Sequence, residues 1–158
     1  MTQSTPTCWF LIGPPNSGKS TWVKKNAPDA VIISSDQYIE RRAEELGKTY
    51  GEVFKDSIGP ATAEMMSTLD NAIISRLPLV WDQTNLTKKS RKAKLDKLKK
   101  YNVIAVAFEI PYEEILRRRN KRKNETGKDV PDHILQSMFN TYQRPSTDEG
   151  FSKIIIVN

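Results

Sequence analysis

The stretch "CWFLIGPPNSGKST", residues 8–21, decides the fold. It starts as an unbroken apolar run, Cys8 to Ile12, and ends in a polar loop framed by two glycines. A continuous apolar run reads as a strand covered on both faces, as in a parallel sheet. The loop after it fits G-x-x-x-x-G-K-[ST] through Gly13, Gly18, Lys19 and Ser20. A loop that wraps phosphate oxygens with backbone N–H groups must keep bulk out of the two glycine positions. The segment "KSTWVKKN", residues 19–26, reads as a helix whose N-terminus faces the anion. Asn16, Ser17 and Thr21 then surround a nucleoside triphosphate, with Thr21 beside the α-phosphate. Lys19 reaches the β- and γ-phosphates, and the Ser20 hydroxyl serves Mg²⁺. ATP and Mg²⁺ are therefore the expected ligands. The acceptor is open at this point: water, a metabolite or a nucleic-acid end.

Outward from the loop, the pattern repeats. "AVIISS" (30–35), "LPLVWD" (77–82), "NVIAVAFEI" (102–110) and "SKIIIV" (152–157) are further apolar runs that read as buried strands. Helical segments separate them. Asp36 is a good helix cap and opens one through Leu46, followed by a loop at "GKTYG", 47–51. Pro60 is placed to start a new helix, with Ala61, Met65, Leu69, Ile73 and Leu77 on one buried face. Thr87 caps a helix to about Lys100, Pro111 opens another, and Pro131 opens the last. That last helix carries Ile134, Leu135, Met138, Phe139 and Tyr142 on one face. The expected architecture is a three-layer α/β domain: a five-stranded parallel sheet with helices on both faces. Residues 1–7 read as a loose tail and 8–158 as a single domain.

The totals agree with a globular protein. The chain has 158 residues, 28% of them charged, and a net charge of +6. Residues 1–84 carry a net −2 and residues 85–158 a net +8. That asymmetry suggests an anionic partner larger than a nucleotide, or simply lysine-rich helices that keep the protein in solution. The lone Cys8 excludes an internal disulfide framework and reads as a small core residue. No run approaches the roughly 18 apolar residues of a membrane span. A cytoplasmic protein without a membrane partner is expected.

In an open parallel sheet ligands collect beyond the carboxyl ends of the strands. Asp36 and Asp82 follow the second and third expected strands. A carboxylate there is suited to take the proton of an attacking hydroxyl, or to hold Mg²⁺ through water. Each is equally suited to cap a turn.

Five segments taken together, "GPPNSGKSTW", "SSDQY", "WDQTNLT", "RRNKRK" and "DVPDHILQSM", give a resemblance. In their order and spacing the chain resembles the phage-type polynucleotide 5′-hydroxyl kinases, a branch of the P-loop kinases, from residue 8 to residue 157. The resemblance implies the P-loop kinase fold and phosphoryl transfer from ATP to the 5′-hydroxyl end of DNA or RNA. It implies that Asp36 is the general base, and that Asp82, Thr84 and Asn85 lie at the acceptor strand. It implies a basic lid over about 117–130. The sequence departs from the pattern in two places. Where the family carries an arginine three residues after the base, this chain has Ile39, with Arg41 and Arg42 as the nearest substitutes. The lid's two arginines, four apart, correspond either to Arg118 with Arg122 or to Arg119 with Lys123. Arg122 is taken as the catalytic lid residue and Arg119 as a nucleotide contact. Arg144 is placed near the nucleotide base, as in P-loop kinases generally.

Two basic segments remain. "TKKSRKAKLDKLKK" (87–100) puts eight basic residues on one helix, with Leu95 and Leu98 as its apolar stripe. It reads either as a solvated face or as a track for a phosphate backbone. "RRRNKRKNETGK" (117–128) reads as a lid whose arginines offset charge on a transferred phosphoryl group. His133 reads as a surface residue. Two other acceptor readings stay open: a small-molecule kinase, and a non-catalytic nucleotide- and RNA-binding module.

Overall fold

The computed structural model describes residues 4–126 and 129–158. Five strands form one parallel sheet: β1 (Thr7–Ile12), β2 (Val31–Ile33), β3 (Leu79–Trp81), β4 (Asn102–Phe108) and β5 (Lys153–Val157). Their order across the sheet is β2-β3-β1-β4-β5. The connections are helical: α1 (Lys19–Asn26), α2 (Asp36–Leu46), α3 (Tyr50–Ile74), α4 (Lys88–Asp96), α5 (Tyr112–Thr126) and α6 (Asp132–Thr141). This is the expected α/β P-loop kinase architecture, with β1 at the centre.

The strands are apolar throughout because both faces of the sheet are covered. Phe10, Trp81, Ala105 and Phe151 pack on one side with Met65 and Leu69 of α3 and with Leu98 after α4. Leu11, Val80 and Val106 pack on the other side with Val23, Ile115 and Leu135 of α1, α5 and α6. A smaller cluster, Ile39 and Ala43 against Val53 and Ala61, joins α2 to α3. No helix among the described residues is long and apolar enough to cross a membrane.

Several boundaries differ from the sequence expectation. The segments 50–58 and 60–74 are one helix, with Pro60 inside it. The proline is tolerated because Gly59 and Pro60 lie on the exposed side. The carbonyl that loses its donor there belongs to Asp56, itself an exposed residue. The buried row Val53, Ser57, Ala61, Met65 and Leu69 runs straight past it. Leu77 lies beyond the helix and is 42% exposed. The expected loop "GKTYG" ends early, because Thr49 and Glu52 form a capping box that starts α3 at Tyr50. Asp36 sits in the first turn of α2, after the N-cap Ser35, rather than capping it. Helix α4 stops at Asp96, short of Lys100. Of the expected last-helix face, Leu135 is buried and Met138, Phe139 and Tyr142 pack at its edge, while Ile134 is 39% exposed. Residues 1–3 of the tail, and Gly127 and Lys128 of the lid, lie outside the described residues.

Candidate active site

Parallel pairing sets the geometry of the site. Trp81 pairs with Ile33 on one side and Phe10 on the other, so β2 and β3 end together and β1 runs two residues further. The Asp82 amide donates to the Ile33 carbonyl at 2.8 Å, and the Gly13 amide donates to the Thr84 carbonyl at 2.9 Å. The start of the phosphate loop is thus tied to the "DQTN" turn. The loop, Asp36, Asp82 and Thr84 all line one cleft of about 1220 Å³ at the carboxyl edge of the sheet.

The loop itself is a cradle. Asn16 and Gly18 have positive φ values of 66° and 94°, which turn the chain tightly around the start of α1. A Cβ on Gly13 would sit 3.0 Å from both the Phe108 Cβ and the Ser17 Oγ, so this position has no room for a side chain. The Lys19 ammonium donates to the Gly13 carbonyl at 2.9 Å, which folds it over the loop. The Ser17 hydroxyl is buried with no hydrogen-bond partner among the described residues, a group suited to a ligand oxygen. Ser20 and Thr21 line the cleft at the N-terminus of α1. These features fit a polyphosphate. Among the described residues there is no cluster of three or more His, Cys, Asp or Glu. Mg²⁺ usually takes one or two protein oxygens beside phosphate and water. Ser20 and Asp82, on one cleft, fit that demand.

On the same cleft, Asp36 is exposed and accepts a hydrogen bond from the Tyr50 hydroxyl at the start of α3. Burial, the bond to Asp36 and the charge of Glu40 push the Tyr50 phenol well above its ordinary range. Tyr50 therefore stays a donor. The sequence reading places Tyr50 in a loop; the Thr49-x-x-Glu52 box is the signal that puts it on a helix. Gln83 bridges the Trp81 indole at 3.0 Å and the Ser35 hydroxyl at 3.3 Å, joining the two acid-bearing turns.

Asn85 does not reach the cleft. It is 2% exposed, and its amide donates to the Leu11 carbonyl at 2.8 Å while its oxygen accepts from Lys94 at 2.5 Å. Its φ of 49° and its contacts make it a brace for the turn.

Helix α5 shows which pair of basic residues faces the loop. Arg118 donates to the Asn16 carbonyl at 3.2 Å, and Arg122 lies 3.5 Å from the Asn16 side-chain oxygen and 3.7 Å from Glu40. Glu114 anchors this helix start: its bonds to Arg117 and then Arg118 hold its carboxyl down at about 2. Arg119, expected at the nucleotide, points elsewhere. It donates to the Val130 carbonyl at 2.7 Å and pairs with Asp132, tying α5 to the start of α6. The 3.6-residue period allows only one of two adjacent residues to face the cleft.

Two further candidates lie outside the cleft. Arg41 is engaged by both oxygens of Glu64 at 3.1 Å and lies over the Tyr38 ring. Arg144 pairs with Glu109 at 2.5 and 2.8 Å. Ile39, at the position of the missing arginine, is fully buried. The basic helix also presents less charge than its sequence suggests. Arg91 is buried against Glu149 at 2.8 Å, and Lys94 turns inward over Trp81. His133 is exposed, as expected.

A family model described as an AAA domain, AAA_33, matches residues 8–145. The chain belongs to this family. The AAA-domain fold is shared with solved structures at low identity. A candidate kinase from Chloroflexus aurantiacus J-10-fl superimposes with a TM-score of 0.75 at 15% identity, covering 99% of this chain and 86% of that one. A chain of the Pnkp1/Rnl/Hen1 RNA repair complex gives 0.70 at 22% identity, covering 89% of this chain and 45% of that longer one. A gluconokinase from Sinorhizobium meliloti 1021 gives 0.59 at 18%, covering 98% and 83%. At these identities the likeness speaks for the fold, and the AAA-domain chain has kinases of different acceptors among its neighbours.

Proposed function

We propose that this chain transfers the γ-phosphoryl group of ATP to the 5′-hydroxyl end of a polynucleotide, DNA or RNA. The observation that carries the reading is one cleft lined by both the phosphate loop and Asp36. Asp36 takes the proton of the 5′-hydroxyl as its oxygen bonds to the γ-phosphorus. The bond from that phosphorus to the β–γ bridging oxygen breaks, and ADP leaves. Lys19 and the loop amides hold the β- and γ-phosphates. Bound Mg²⁺ would supply charge neutralisation to the phosphates, with Ser20 and, through water, Asp82 to hold it. Arg118 and Arg122, which contact Asn16 of the loop and line the cleft, are suited to offset negative charge on the transferred group.

Two features support a large acceptor. Residues 85–158 carry a net +8. One structural neighbour belongs to an RNA repair complex. One observation favours a second reading, a small-alcohol kinase: Arg41 and Arg42 are engaged by Glu64 and Glu45, and neither lines the cleft to hold an acceptor phosphate.

The test offers γ-labelled ATP and Mg²⁺ with matched 5′-OH DNA and RNA oligonucleotides, beside nucleosides, sugars and water. The expected result is label on an oligonucleotide end, reduced about 10²–10⁴-fold in Asp36→Asn as befits loss of a general base. Label only on a small alcohol overturns the polynucleotide acceptor. Full activity in Asp36→Asn overturns the base.

A further inference from the structure

Helix α3 sends one row of side chains, Tyr50, Phe54 and Ile58, along the acceptor side of the cleft. Their spacing of four keeps them on one face of the helix. Phe54 and Ile58 line the cleft. The row begins at the proposed reacting centre, because the Tyr50 hydroxyl bonds Asp36. The Tyr50 and Phe54 rings then meet at 5.8 Å between centroids, tilted by 40°.

The helix packs Tyr50 and Ile58 against the α2–α3 cluster and leaves Phe54 out of it. Its core row is Val53, Ser57 and Ala61, one residue round the helix. Phe54 is instead 41% exposed, a large aromatic face left in water in the cleft that Asp36 also lines. A scattered surface phenylalanine needs no explanation. One that lines a ligand cleft, next to a tyrosine that holds the base, has a use.

We propose that Phe54 and Ile58 form a stacking shelf for the nucleobase of the acceptor's 5′-terminal nucleotide. This rests on the polynucleotide reading of the site. The 5′-hydroxyl and the base of one nucleotide leave the same sugar in different directions. With the hydroxyl at Asp36, a flat apolar surface a single ring away receives the base. Phenylalanine and isoleucine offer no donors or acceptors to base edges. The shelf therefore holds any base and reads none, as stacking platforms do. It also gives a grip on the terminal nucleotide that position 39, a buried isoleucine, does not supply.

The experiment compares 5′-OH decamers, in DNA and RNA form, that carry or lack the base on the first nucleotide. Wild type, Phe54→Ala and Phe54→Trp are assayed for acceptor KM, kcat and the KM for ATP. Wild type is expected to bind the base-bearing end about tenfold better, a typical scale for stacking one base. Phe54→Ala removes that preference and leaves the abasic substrate and the ATP KM unchanged. Phe54→Trp retains it. Equal acceptor KM with and without the base in wild type overturns the shelf while leaving polynucleotide phosphorylation standing. So does a Phe54→Ala defect of equal size on both substrates. If no decamer is phosphorylated and a small alcohol is, the polynucleotide reading falls and the shelf falls with it.

Discussion

The Tyr50 hydroxyl, at the first residue of α3, donates to the Asp36 carboxylate in the first turn of α2. The bond holds the carboxylate from the α3 side. Tyr50→Phe is expected to lower kcat about tenfold, the scale of one hydrogen bond to a charged group, with the ATP KM unchanged. Its phenol is held above the ordinary range, chiefly by burial and then by Asp36. An ultraviolet titration of wild type against the variant should therefore show no tyrosinate from Tyr50 near the ordinary value of about 10. Unchanged kcat in Tyr50→Phe would remove its positioning role.

Arg119 and Arg122 are three residues apart on α5 and should fail differently. Arg119→Ala cuts the tie between α5 and α6, costing about 1–3 kcal/mol and several degrees of Tm, with kcat preserved. Arg122→Ala and Arg118→Ala should preserve Tm and lower kcat at least about tenfold, as for removal of a charge that stabilises the transferring phosphoryl. Thermal melts beside initial rates decide it, and a kcat loss in Arg119→Ala alone would reverse the assignment.

Lys94 supplies the pH dependence. Burial lowers its amine from 10.5 to about 8. Between those values the unfolded chain binds more protons at this site than the folded chain does, so stability rises with pH. Urea midpoints taken from pH 7.5 to 9.5 should climb in wild type relative to Lys94→Met, where this contribution is absent. Parallel curves would show that Lys94 is not responsible.

Arg91 is fully buried and gives its guanidinium to Glu149 and to the carbonyls of Asn85 and Gln143. Arg91→Met strands Glu149 and is expected to cost about 3–5 kcal/mol in denaturant unfolding. Adding Glu149→Gln should return part of that loss, which a double-mutant cycle measures directly. A loss under about 1 kcal/mol for the single variant would show that water already satisfies these groups.

Much of the fold was legible because its signals are local. The run Cys8 to Ile12, the glycines at 13 and 18, and the prolines at 111 and 131 each state a backbone conformation within a few residues. The P-loop and both acids at strand ends meet at one cleft for the same reason: a parallel sheet puts all its carboxyl ends on one edge. Pro60 misled because a local rule met a helix held by its buried face.

The sequence by itself determined the order of strands and helices, the phosphate loop and the two candidate acids. Periodicity and motif spacing carry those. Tertiary structure alone decided where long side chains go. Arg91, Arg119 and Arg144 look like Arg122 in the sequence, yet each is consumed by a carboxylate outside the cleft: Glu149, Asp132 and Glu109. A flexible cation is committed by whichever partner the fold brings within reach, and those partners lie between 13 and 58 residues away along the chain. The same holds for Tyr50, whose role is set by Asp36 across the gap between two helices.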